Sequence, residues 1–84
     1  AFELKTVSGV QRTDVEGLSS AISNRIMNCR GQAADIIVDA RQQAGMTIEV
    51  AERAAGRALG ADKRSGIQSI TILTPSGTHT TQRR

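Results

Sequence analysis

An 84-residue chain with a formal charge of +3 and one aromatic residue, Phe2, is one small domain whose core must be built from Ile, Val, Leu and Ala. A chain of this size buries roughly 60% of the surface its unfolded form exposes, so packing has little to spare. The single Cys29 excludes an internal disulfide, Cys29 and the lone His79 cannot make a zinc site together, and no apolar run approaches the roughly 18 residues of a membrane span.

The first element is AFELKT. Phe2, Leu4 and Thr6 alternate with Glu3 and Lys5, which is the period of two of a strand running to Val7. Ser8, Gly9, Arg12 and Thr13 form a polar connection, and Thr13 or Asp14 caps a helix. Val15, Leu18, Ala21, Ile22, Ile26 and Cys29 follow at steps of three and four and mark its inner face, with Glu16, Ser20, Asn24 and Asn28 opposite. Gly31 stops this helix. Ala34 to Ala40, ADIIVDA, is a second strand whose consecutive Ile36, Ile37 and Val38 suit the centre of a sheet covered by helices.

Gln42 to Gly45 is a loop. Thr47 caps a second helix, Met46 staples against its first turn, and Glu49 and Glu52 sit near its positive end. Its inner face is Val50, Ala51, Ala54, Ala55, Ala58 and Leu59, so rich in alanine that it must approach the sheet closely; Gly60 ends it. Ile67 to Thr74 is a third strand, Pro75-Ser76-Gly77 a turn, and Thr78 to Gln82 a fourth, antiparallel strand. Arg83 and Arg84 are expected to fray. The order is β-α-β-α-β-β. Right-handed crossovers then predict a small two-layer α/β (α+β) domain, residues 1–84, with both helices on one face of a mixed sheet.

The chemistry-bearing residues gather around the strands. Glu3 and Lys5 share one face of the first strand. Thr6, Asp39 and Arg41 fall near strand carboxyl ends, where open α/β sheets usually hold ligands. His79 titrates in the useful range but lies on an edge strand. Two enzymatic readings fit. In one, a carboxylate holds Mg²⁺ and Lys5 stabilises an attacking hydroxide, as in a metal-dependent DNase or endonuclease; that chemistry normally takes another acid from an earlier strand, which is not among these residues. In the other, a metal-independent ribonuclease, a base takes the 2′-hydroxyl proton, cations stabilise the crowded phosphate and an acid protonates the leaving oxygen. A non-catalytic protein-binding α/β module is the reading of a different class. The plainer explanations are a solvated, salt-bridged face for Glu-x-Lys, a loop cap for Asp39, a surface ion pair for Arg41 and a solvated helix face for Arg53 and Arg57. Nine of the eleven basic residues are arginine, whose fork suits phosphate. One aromatic cannot supply the base-stacking platforms of a single-strand binder.

FELKT, a helix leading to GQA, IIVDAR, an Ala- and Glu-rich helix and ITILTPSG occur in this order over essentially the whole chain. Together they resemble the C-terminal toxin domains of contact-dependent growth inhibition proteins (CdiA), in the branch of the barnase/EndoU/colicin/RelE-like nuclease superfamily. The resemblance implies a tRNA-cleaving ribonuclease, and with the metal-independent reading above no cofactor or metal is expected. It also implies secretion as the C-terminus of a large cell-surface delivery protein, transfer to the cytoplasm of a competing bacterium, and a cognate immunity protein as partner. The family's strand-one acid and lysine map onto Glu3 and Lys5, with Thr6 beside them, and its Arg-Gly-Gln and Val-Asp-x-Arg elements onto Arg30, Gln32, Asp39 and Arg41. The catalytic set is then Glu3, Lys5, Thr6, Asp39 and Arg41, with His79 added from its chemistry as a second acid/base, and Arg30, Gln32 and Asn24 are expected to contact RNA. Such domains carry helices and a Pro-Asp hairpin ahead of the FELK strand, so part of the domain and of its site is expected to lie outside these residues.

Overall fold

The structure is a computed structural model that describes residues 2–28, 34–61 and 66–82. Six elements follow one another: β1 (Phe2–Thr6), α1 (Val15–Met27), β2 (Asp35–Asp39), α2 (Ile48–Ala61), β3 (Ser69–Thr74) and β4 (Gly77–Gln82). The sheet order is β1-β2-β3-β4. The first three strands are parallel, with Thr6 beside Asp39 and Asp39 beside Leu73, and β4 returns antiparallel to β3. Sequential parallel neighbours joined by crossovers of one hand place both connections on the same side. The expected two-layer domain, with two helices packed on one face of a mixed sheet, is what is found.

Local chemistry explains the boundaries. Asp14, the second of the two expected caps, closes the start of α1: its carboxylate accepts from Gly17 N–H at 2.9 Å. The described helix ends at Asn28, whose N–H donates to Asn24 C=O at 3.1 Å. Cys29, Gly31 and the expected stop lie outside the described residues. Thr47 Oγ1 accepts from Val50 N–H at 3.2 Å and caps α2, which runs one residue past Gly60. The β3–β4 turn is two residues, Pro75-Ser76, because Thr74 pairs with Gly77. Gly77 takes φ +145°, a backbone state other residues rarely adopt. Thr74 stitches the turn shut, donating from Oγ1 to Gly77 C=O at 2.7 Å and accepting from Ser76 N–H at 3.2 Å.

The core lies between the helices and one face of the sheet. Leu18, Ile22 and Ile26 of α1, Ile36 and Val38 of β2, Ile70 and Ile72 of β3, and Val50, Ala51, Ala54, Ala55 and Ala58 of α2 are all buried. Each fully buried Ile or Leu contributes about 1.5–3 kcal/mol relative to exposure. The alanine face of α2 packs on β3 and β4, and α1 lies beside α2. Arg57 of α2 reaches Glu16 of α1 at 2.8 Å and ties the helices together on their outer side.

One expectation needs correction. The apolar run of β2 suggested a strand covered by helices. It is central, between β1 and β3, but only one side is covered: Ile36 and Val38 are buried, while Ile37 between them is half-buried on the open face. Among the described residues, no helix is long and apolar enough to cross a membrane.

Candidate functional site

The sheet divides the candidate residues. Side chains alternate along a strand, and register partners share a face. Glu3 lies opposite Ile36 and Lys5 opposite Val38, so both project to the helix-covered face. Both are half-buried there. No ion pair joins them, and among the described residues neither makes one elsewhere; the salt-bridged strand face is therefore not what the structure holds. Thr6 lies opposite Asp39, and this pair projects to the open face.

His79 is the register partner of Ile72 and so shares the covered side with Glu3 and Lys5. It does not share their site. It sits on the opposite edge strand, three strand spacings away, which is about 14 Å at the usual inter-strand distance. His79 Nε2 instead meets Thr81 Oγ1 at 2.9 Å, two residues along β4. Asn24 is on the exposed face of α1. Arg30 and Gln32 lie outside the described residues.

Asp39 and Arg41 form the best-defined polar unit. Asp39 Oδ1 accepts from Arg41 N–H at 3.2 Å and from Arg41 Nε at 3.0 Å, and Oδ2 accepts from Arg41 Nη2 at 2.9 Å. The three bonds do two things. The backbone bond caps the turn after β2, and the side-chain pair fixes one edge of the guanidinium. The side-chain bonds from Arg41, then its backbone N–H, hold the Asp39 carboxyl below its ordinary value of 3.8, and the Arg41 pKa is raised in return. Arg41 is 59% exposed and Asp39 24%. The remaining guanidinium nitrogen, Nη1, takes no part in this pair.

A residue that sequence reasoning missed makes this end of the sheet rigid. Gln43, only 3% exposed, reaches across to the loop that follows β1. Its Oε1 accepts from Val10 N–H at 3.0 Å; its Nε2 donates to Val10 C=O at 2.9 Å and to Ala44 C=O at 3.0 Å. A side-chain amide thus copies the two-bond pairing of a neighbouring strand. Gly45 backs it up. At φ +81°, a Cβ there would lie 2.8 Å from Thr13 C=O. The ladder also continues past the strand ends, with Val7 N–H on Asp39 C=O at 2.9 Å and Ala40 N–H on Leu73 C=O at 3.0 Å. In sequence, Gln43 is one of two glutamines in a polar loop, and nothing local marks it.

The remaining charges are mostly paired. Arg12 meets Asp14 at 2.9 Å and Arg53 meets Glu49 at 3.5 Å, alongside the Arg41–Asp39 and Arg57–Glu16 pairs. Arg30, Lys63, Arg64, Arg83 and Arg84 lie outside the described residues against one acid there, Asp62, so the net positive charge of the chain is carried by those stretches of sequence. A groove of about 280 Å³ lies between the outer sides of α1 and α2, lined by Glu16, Ser19, Glu52, Arg53, Gly56 and Arg57. It contains none of the candidate residues; of its charged lining, Glu16, Arg53 and Arg57 are engaged in the Arg57–Glu16 and Arg53–Glu49 pairs. Among the described residues, no three His, Cys, Asp or Glu side chains gather into a group that could hold a metal ion.

No protein-family model matches the sequence, and no curated protein does. A solved structure does match in three dimensions: a chain of the CdiA-CT/CdiI toxin and immunity complex from Burkholderia pseudomallei. The likeness covers 98% of this chain at a TM-score of 0.53 and 13% sequence identity. This chain spans 55% of the length of that one. The arrangement of two helices on the β1-β2-β3-β4 sheet is thus a fold found in a toxin and immunity complex.

Proposed function

We propose that this chain is the nuclease part of a contact-dependent growth inhibition toxin, a ribonuclease that cleaves tRNA in a competing bacterium and is neutralised by a cognate immunity protein. The observation that carries the reading is the fold likeness over 98% of the chain to a chain of a toxin and immunity complex. It agrees with the order of FELKT, IIVDAR and ITILTPSG in the sequence. The chain is delivered as the C-terminal part of a large secreted surface protein and acts in the cytoplasm of the target cell.

The chemistry is strand scission by the neighbouring hydroxyl. The 2′-oxygen attacks phosphorus as its proton leaves, the bond to the 5′-oxygen breaks, and that oxygen takes up a proton; the products carry a 2′,3′-cyclic phosphate and a 5′-hydroxyl. Glu3 is the acid/base group. Lys5, two residues along the same face, stabilises the extra charge of the crowded phosphate. Arg41 binds phosphate through the guanidinium donors that Asp39 leaves, Thr6 positions it, and Asp39 orients Arg41. His79, on the far edge of the sheet, stands outside this set.

Total bacterial tRNA incubated with the protein in its native full-length chain tests the reading, once in EDTA and once in Mg²⁺. Discrete fragments in EDTA ending in a cyclic phosphate are expected, and Glu3→Gln should slow their appearance at least a hundredfold. Cleavage only in Mg²⁺, or of DNA, makes the chain a metal-dependent nuclease instead. Intact nucleic acid in both, with tight 1:1 binding to a protein, makes it a binding module.

A further inference from the structure

We infer that Gln43 is a positioning residue for the proposed cleavage: its side-chain amide ties the turn that carries Arg41 to the loop that follows β1, and so sets where Arg41 meets the phosphate relative to Glu3 and Lys5. This rests on the ribonuclease reading and adds to it a residue that acts on the substrate through Arg41.

Strand pairing stops one residue short of Arg41. The last ladder bonds at this end of the sheet are Val7 N–H on Asp39 C=O and Ala40 N–H on Leu73 C=O. Arg41 itself bonds backward, its N–H and guanidinium on the Asp39 carboxylate. Those bonds fix Arg41 to Asp39 but join the turn to no other segment. Among the described residues, the next tie between this turn and another segment is the Gln43 amide, on Val10 N–H at 3.0 Å and on Val10 C=O at 2.9 Å. Val10 lies in the loop that leaves β1. The strand carrying Glu3, Lys5 and Thr6 and the turn carrying Arg41 are therefore joined twice, once by the ladder and once by Gln43. Arg41 lies in sequence between the two joints.

Gln43 is placed to hold rather than to touch substrate. It is buried, and both of its amide hydrogens are taken, by Val10 C=O and by Ala44 C=O at 3.0 Å. Its N–H donates to Ala40 C=O at 3.1 Å, and its C=O accepts from Met46 N–H at 3.3 Å. No donor is left to offer a phosphate. The bond to Ala40 closes a turn with Arg41 in its second position. A buried amide whose bonds are all made selects one arrangement of its neighbours. Displacing a substrate-positioning group by about 1 Å costs on the order of a hundredfold in rate, so the seat of this turn bears on the reaction.

Cleavage of mixed bacterial tRNA by the native full-length chain tests this, with circular dichroism to establish that each variant is folded at the assay temperature. Gln43→Ala should raise KM about tenfold and leave kcat within about twofold, the pattern of lost phosphate binding. Arg41→Ala should raise KM at least as much. Gln43→Ala added to it should cost nothing further, because two residues that act through one contact are not additive. Ile22→Val, a cut into the core face of α1, lowers stability and should leave both constants as they are, which separates positioning from a general loosening. If Gln43→Ala does not fold, Gln43→Asn, which keeps the amide but draws it back by one carbon, takes its place in the same cycle. Losses at Gln43 and Arg41 that multiply overturn the inference, since Gln43 would then act on something other than Arg41. So does a folded Gln43 variant that cleaves as the parent does, while the ribonuclease reading stands. Absence of tRNA cleavage by the unmutated chain removes that reading, and the role of Gln43 with it.

Discussion

Ile36 and Ile37 are the same residue, one peptide bond apart at the centre of β2, and they have opposite surroundings. Ile36 is fully buried beneath the helices; Ile37 is half-buried on the open face of the sheet. The comparison extends across all four strands. The covered face carries Val38, Ile70 and Ile72, each with no exposed surface. The open face carries Leu4, which is 58% exposed, together with Thr6, Ile37, Thr71, Leu73, Thr78 and Thr80. Thr71 and Thr80 meet across the last two strands, hydroxyl to hydroxyl, at 3.2 Å. Hydrophobicity alone therefore does not decide burial here. The hand of two crossovers does, by sending both helices to one side and leaving the other to threonine hydroxyls and a thin apolar strip.

Shortening each isoleucine in turn should give the largest difference between the two faces. Ile36→Ala removes packed atoms and leaves a cavity, and should cost about 2–5 kcal/mol in chemical unfolding. Ile37→Ala should cost about 1 kcal/mol, because water already reaches it. Equal losses would mean that the open face is covered in solution.

The next effect tests the carboxyl end of the sheet, where the two sides meet. Gly45→Ala forces a side chain into a left-handed backbone and against Thr13 C=O, and should destabilise by about 1–3 kcal/mol. Thermal unfolding measures it. A protein that melts as before would show that the loops after β1 and β2 are not clamped as described.

A gain is expected on the outer side of the helix layer. A Cβ at Gly56, inside α2, would meet no atom within 4 Å. Gly56→Ala should stabilise by about 1 kcal/mol, since alanine gives up less backbone freedom in a helix. A loss of stability in urea unfolding would reveal something packed against that position.

The smallest expected effect is a titration. Asp39 has its folded pKa lowered by Arg41, so its stabilising contribution is complete above the ordinary value of 3.8 and is lost as pH falls through the lower folded value. Arg41→Ala should move the Asp39 midpoint up toward 3.8, read from its carboxyl carbon by NMR. An unmoved midpoint would mean that the pair does not persist in solution, and the fixing of Arg41 by Asp39 would go with it.

Much of the architecture was legible because it rests on local rules. A period of two in FELKT, steps of three and four from Val15 to Ile26, the caps at Asp14 and Thr47 and the turn at Pro75-Ser76 are set by neighbours a few residues apart. Boundaries moved by a residue or two: Val7 and Ile67 are buried just outside their strands, because ladder bonds and packing continue where regular pairing stops. The candidate site was less legible. Alternation already placed Glu3 and Lys5 together and Thr6 opposite, but it could not say which side the helices cover. Nor could it say that His79 ends a sheet's width from Glu3.

By itself, then, the sequence determined the six elements, their order and the split of each strand into two faces. Backbone hydrogen bonding and side-chain periodicity act over one or two turns, and a single chain displays both. The fold in three dimensions settled which face became the core, that β2 and β3 lie between β1 and β4 among the described strands, and that Gln43 closes on Val10, 33 residues away in sequence. Those outcomes depend on contacts between segments that carry no sign of each other until the crossovers bring them together. A buried amide chooses its partner by geometry rather than by any pattern along the chain.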